Sequence, residues 1–237
     1  MPKIVMRGYV PGDEKEFNME NIRLLRQVQK DIEYLINRGY DLEGSVTFLC
    51  NRFGLSKRQR MALIRSMAKH EEIVVRKEKE VTGLLTGKTV HIDGFNQIIT
   101  LEVALSGSTL LLCMDGSVRD LAGLHGTYRI IDKTDMAIHL ICRRLLTLDA
   151  AKAIFYLDSP VSNSGRLKQR ILELSGEYPL KAEVFVLHDV DKMLCGKENI
   201  VTSDSIILDE CISWVNLNRQ ILAESFFDYS FVDLSVD

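Results

Sequence analysis

The chain has 237 residues, 46% of them hydrophobic and 27% charged, enough to bury one large core or two modest ones. A net charge of −3 argues against a uniformly basic nucleic-acid coat. The apolar runs are too short for a secretion signal or a bilayer span, so a cytoplasmic protein with no membrane partner is expected. Five cysteines without a C-x-x-C pair read as reduced thiols, and five histidines without an H-E-x-x-H cluster argue against zinc.

Charge divides the chain in two. Residues 1–80 carry 16 Lys and Arg against 12 Asp and Glu, whereas 81–237 carry 14 against 21. From Asn18 to Met67 the pattern is helical. Ile22, Leu25, Val28, Ile32, Leu35 and Ile36 recur at three- and four-residue steps, with Asn18 as N-cap and Gly39 as stop. A second helix follows through "LEGSVTFLCNRF" and a third starts at Ser56, giving a three-helix bundle like a helix-turn-helix unit. Lys57, Arg58 and Arg65 share one side of that third helix. Such a face suits phosphates, and it is equally what an amphipathic helix turns to solvent. Residues 69–87 read as a charged connection, which sets a domain of residues 1–82 before one of 83–237.

Beyond Lys88 short β-favouring runs ("TVHID", "TLLLCMD", "AIFYLD", "EVFVL", "NIVTSD") alternate with helical stretches. That alternation predicts an α/β fold with a mostly parallel sheet covered on both faces, a three-layer α/β/α sandwich. Four of the runs end on an aspartate: Asp93, Asp115, Asp158 and Asp204. Parallel strands bring their carboxyl ends to one edge, so these acids are expected to converge. Each is also an ordinary helix cap or turn residue. Clustered carboxylates without histidine or cysteine suit Mg2+ or Mn2+, and such ions meet substrate phosphates. The segment 115–129 adds Arg119, Asp120, His125 and Arg129 among glycines, and Arg166 opens the helix after "SPVSNSG". These arginines would grip phosphate, or else pair with the neighbouring acids.

"VHIDGFNQII", "FYLDSP" and "IVTSDSIILDE" resemble motifs of the PIN-like nuclease superfamily, in particular its NYN branch. The resemblance covers about 150 residues. It implies metal ligation by Asp93 and Asp204, a less securely matched third acid in Asp158, a site-shaping Asn96, and orienting hydroxyls on Thr202 and Ser203. Asp209 would be a further acid or a surface charge. The segment 115–129 departs from that pattern, which leaves the strand-two acid unplaced. The whole chain also resembles a family of archaeal and bacterial proteins of unknown function, in which a segment like "NRGY…RFGLSKRQR" precedes an α/β part. Together these imply a metal-dependent nuclease, acting on RNA rather than DNA by attack of an activated water on a phosphodiester. The alternatives are a non-catalytic module binding a nucleotide, nucleic acid or partner, and a phosphatase or nucleotide hydrolase using the same acids.

Overall fold

A computed structural model of the chain describes residues 5–123, 126–224 and 230–235. The front begins with a short turn, α1 (Asp13–Glu16), and then the expected helices α2 (Met19–Ile36), α3 (Leu42–Arg52) and α4 (Lys57–Ser66). Their starts follow from local chemistry. The Asn18 side chain accepts the Asn21 N–H at 2.9 Å, Asp41 accepts that of Gly44 at 2.7 Å, and Ser56 and Gln59 form a reciprocal capping box. Gly39, at φ +85°, lets the chain turn back after α2. The charged connection contains a further helix, α5 (His70–Lys79). Glu71 and Glu72 lie in its first turn and Arg76, Lys77 and Lys79 in its last, the order that complements the helix dipole.

The second part comprises β1 (Thr89–Asp93), α6 (Gly94–Leu105), β2 (Thr109–Leu112), β3 (Val118–Asp120), α7 (Thr134–Thr147), β4 (Lys152–Asp158) and α8 (Ser164–Ser175). It continues through β5 (Lys181–Leu187), α9 (Val190–Leu194), β6 (Ile200–Val201), α10 (Ser205–Glu210), α11 (Leu217–Glu224) and β7 (Ser230–Asp233). Four strands form a parallel sheet in the order β5-β4-β1-β6. The fold is α/β. Residues alternate across the sheet: Val90, Ile92, Phe155, Leu157 and Val201 join the large core beneath α6, α7 and α8, whereas Tyr156 and Ile200 join a smaller cluster with α9 and α10.

The second expected strand departs from that plan. β2 lies outside the four-stranded sheet, pairing antiparallel with β3 and parallel with β7. "MDGS" is the β2–β3 hairpin turn, with Gly116 at φ +78°, so Asp115 does not end a strand of the parallel sheet.

The front helices share their core with the second part. Leu25, Val28, Ile32, Leu63 and Met67 share one core with Leu111, Cys113, Met114, Leu121, Val232 and Leu234. Gln29 donates to the Leu234 carbonyl at 2.7 Å, and Arg26 pairs with Asp233. Apolar burial thus crosses the segment around Thr82. Among the described residues no helix is long and apolar enough to cross a membrane. All five cysteines are free.

Candidate functional site

The strand order reverses at β1, which has β4 on one side and β6 on the other, and ligand sites in such sheets form at the carboxyl ends beside that reversal. β1 ends on Asp93, which caps α6 by accepting the Asn96 N–H. A side chain on the next residue, Gly94, would crowd its neighbours. A Cβ at Gly94 would stand 2.6 Å from Leu157 Cδ2 and 3.0 Å from the Tyr156 carbonyl. Thr202 Oγ1 donates to Asp93 Oδ2 at 2.8 Å and accepts the Asp204 N–H at 3.1 Å. Ser203 donates both its N–H and its hydroxyl to Asn96 Oδ1, each at 3.0 Å. Asp204 caps α10 through the Ile206 N–H at 2.8 Å. The motifs around Asp93 and Asp204 thus interlock as one hydrogen-bonded unit. Asn96 also lines the cavity, and its amide NH2 donates to no described residue.

Asp93, Asp158 and Asp204 line a single cavity of about 270 Å³. Asp120, at the end of β3, and Asp191, in α9, share its wall. Sequence reading left Asp120 in a loop and missed Asp191. Asp191 lies four residues beyond the end of β5, inside α9, and the strand-end rule points instead to Asp189, the cap of that helix. None of the five carboxylates forms an ion pair with a described residue. Burial raises the Asp93 carboxyl to about 7, and the charges of Asp204 and Asp158 add to the effect against the bonds from Thr202 and Asn96. Burial and the Asp189 charge raise Asp158, and burial with Asp204, Asp158 and Asp189 raises Asp191. Among the described residues no three His, Cys, Asp or Glu are grouped so as to hold one ion.

Several other expected site residues lie elsewhere or serve other ends. Asp115 is buried, its Oδ2 accepting Arg76 Nη1 at 2.8 Å and Arg119 Nη2 at 3.0 Å. Burial would raise it, but Arg119, Ser117 and Arg76 together hold it below the usual carboxylate range. Arg119 is not placed to grip phosphate. Its Nε donates to the Ser203 carbonyl at 2.7 Å and its Nη1 to that of Arg65 at 2.5 Å, so it braces the turn before Asp204. Asp209 is an ion-pair partner of Arg76, at 2.7 and 2.8 Å, and not a site acid. Arg129 and Arg166 do come together, with Asn163 and Ile130, but around a separate shallow depression. His125 lies outside the described residues. The basic face of α4 is broken as well, because Arg58 pairs with Asp13 through Nε at 2.9 Å and Nη2 at 2.7 Å.

The acids of the cavity and the helices beside it fall in two family matches. Residues 24–79 match the model described as "Protein of unknown function (DUF434)" and residues 82–220 that described as "Domain of unknown function (DUF5616)". The chain is 37% identical over 185 residues to "Uncharacterized protein MJ0935" of Methanocaldococcus jannaschii, a match spanning 78% of this chain and 88% of that protein. No solved structure matches the chain significantly. The larger of the two family matches contains Asp93, Asp120, Asp158, Asp191 and Asp204 and covers more than half of the 237 residues, and the chain belongs to the DUF5616 domain family.

Proposed function

We propose that the chain is a divalent-metal-dependent nuclease that cleaves phosphodiesters of RNA, as its resemblance to PIN-like nucleases implies. The observation that carries this reading is the ring of five carboxylates, none ion-paired to a described residue, around one cavity at the carboxyl edge of a parallel sheet. The charges of Asp204 and Asp158 add to the burial that raises Asp93 and Asp191, a repulsion that a cation would relieve, and an arginine closing on the acids would have marked a structural cluster. The donor set fits a hard ion, being all oxygen. Mg2+ binds through one or two carboxylates and keeps waters for the substrate phosphate to replace, so three grouped acids are not required.

Asp93 and Asp204 would hold the ion, and Asp158 lines the same cavity. When bound, the ion supplies a Lewis acid for phosphate oxygen and lowers the pKa of its water. Thr202 fixes one oxygen of Asp93, and Arg119 steadies the Ser203 carbonyl, so the two acidic ends keep their spacing. The amide NH2 of Asn96 is free to donate to a phosphate oxygen. Asp191, raised by burial and then by its acidic neighbours, stands in the same cavity as a proton acceptor. The preference for RNA rests on the resemblance.

The test is cleavage of labelled single-stranded RNA, DNA and nucleotides with Mn2+ or with a chelator. RNA cleavage that depends on Mn2+ is expected, with losses of about 100-fold or more in Asp93→Asn and Asp204→Asn. Asn caps helices as well as Asp, so α10 should survive the second change. Cleavage in chelator, or variants as fast as the parent, would overturn the reading.

A further inference from the structure

The cavity wall is not made by the α/β part alone. Arg65, on α4, lines it together with Asp93 and Asp204 and, among the described residues, is the only Lys or Arg that does so. Its backbone is pinned. The Arg65 carbonyl accepts Arg119 Nη1 at 2.5 Å and Cys113 Sγ at 3.6 Å, and the neighbouring Ser66 carbonyl accepts the Met114 N–H at 3.1 Å. The last turn of α4 is thereby fixed to the β2–β3 hairpin. The Arg65 guanidinium, by contrast, makes no hydrogen bond or ion pair with a described residue. Arg58, seven residues earlier on the same helix, is fully engaged with Asp13 and backbone carbonyls. Arg65 thus lines the same cavity as five carboxylates and ion-pairs with none of them, so the wall carries both signs of charge. An anion that brings its own cation complements such a wall.

A second depression, of about 620 Å³, continues from the first and shares Arg65, Asn96, Gly123 and Asp204 with it. It continues along Met61 and Ile64 of α4, both partly buried, with Glu43 of α3 and the carbonyl-bound Arg119 also in its lining. The groove therefore offers a cation where a backbone phosphate would pass and apolar side chains beyond it for a base.

We propose that the helical segment is one wall of the site, that Arg65 holds a backbone phosphate of the substrate, and that the substrate is a single-stranded oligonucleotide leaving along α4. This rests on the nuclease reading for the identity of the ligand but not for its binding. Neither family segment contains the site by itself: Arg65 lies in the 24–79 match and the acids in the 82–220 match.

The experiment is equilibrium binding of a short fluorescent single-stranded RNA, with Mg2+ across a salt series, to the full-length Asp93→Asn chain. Further chains carry Arg65→Ala, Arg65→Lys or Lys57→Ala in addition. Lys57 is an exposed cation on the same helix, away from the groove. Arg65→Ala should weaken binding by about 10-fold and lower the salt slope by about 0.7, one phosphate contact to a single strand. Arg65→Lys should recover part of the affinity and all of the slope, because it keeps the charge and loses the fork. Lys57→Ala should change neither. Thermal melts identify any variant that fails to fold, and the lysine variant then carries the comparison against the parent. Unchanged affinity and slope on removing Arg65, or equal losses from both positions, would overturn the assignment. Parent chain that binds through Arg65 but cuts nothing sinks the nuclease reading alone. Cleavage unaffected in kcat/KM by Arg65→Ala sinks the Arg65 assignment alone, and a parent that neither binds nor cuts sinks both.

Discussion

Replacing Asp93 by Asn should stabilise the metal-free protein above neutral pH. The carboxyl is buried and raised from 3.8 to about 7 by burial and by the charges of Asp204 and Asp158. Between those two values the folded chain holds a proton that the unfolded chain has released, so stability falls as pH rises across that window. The penalty is absent below about pH 4 and complete above about pH 7. Three units at 1.36 kcal/mol each set an upper bound of about 4 kcal/mol. Asn keeps the shape but serves the bonds from Thr202 and Asn96 less well, which costs about 1–2 kcal/mol at any pH. The net gain at pH 8.5 is therefore about 2 kcal/mol, or roughly 4–8 °C in Tm for a chain of this size, and it should reverse near pH 4.5. Denaturation of parent and variant in chelator at the two pH values reads this directly, since groups common to both cancel. Mn2+ should then raise the Tm of the parent more than that of the variant. A variant destabilised equally at both pH values would show that Asp93 is not strained by its neighbours, and the case for a cation between them would go.

Arg76→Met should cost about 3–5 kcal/mol in urea denaturation, because Asp115 stays buried and keeps only Arg119 of its two cationic partners. A loss below about 1 kcal/mol would refute that account. Gly94→Ala should lower stability by about 1–3 kcal/mol and reduce cleavage, since its Cβ must displace Leu157 or the β4 backbone beside Asp93. A neutral Tm and full activity would contradict the close approach. A fragment of residues 1–80 should show no cooperative thermal transition by circular dichroism, because its core lacks Leu111, Cys113, Met114, Val232 and Leu234. Cooperative melting of that fragment would restore the front helices as an autonomous unit.

What could be read from the residues was local. Asn18, Asp41 and Ser56 start helices by bonds to N–H groups three residues on, so their sequence neighbours suffice to identify them. The period of apolar residues determined α2, and the aspartates closing β1 and β4 announced a shared edge once the strands were taken as parallel. Asp93, Asn96, Thr202, Ser203 and Asp204 form one hydrogen-bonded unit. Its hydrogen bonds span a hundred residues and no pattern of spacing encodes them. Only the tertiary structure decided that Asp120 and not Asp115 reaches the cavity, because a two-strand hairpin and a strand of the parallel sheet look alike in "TLLLCMDGSVRD". The same holds for the arginines. Arg58, Arg65, Arg76 and Arg119 are equivalent in composition, and burial chose among them: Arg76 met Asp209 across 133 residues, Arg119 met Ser203 across 84, and Arg65 lines the cavity without an ion pair to a described residue. A charge's role is set by what desolvates and neutralises it, and those partners come together only on folding.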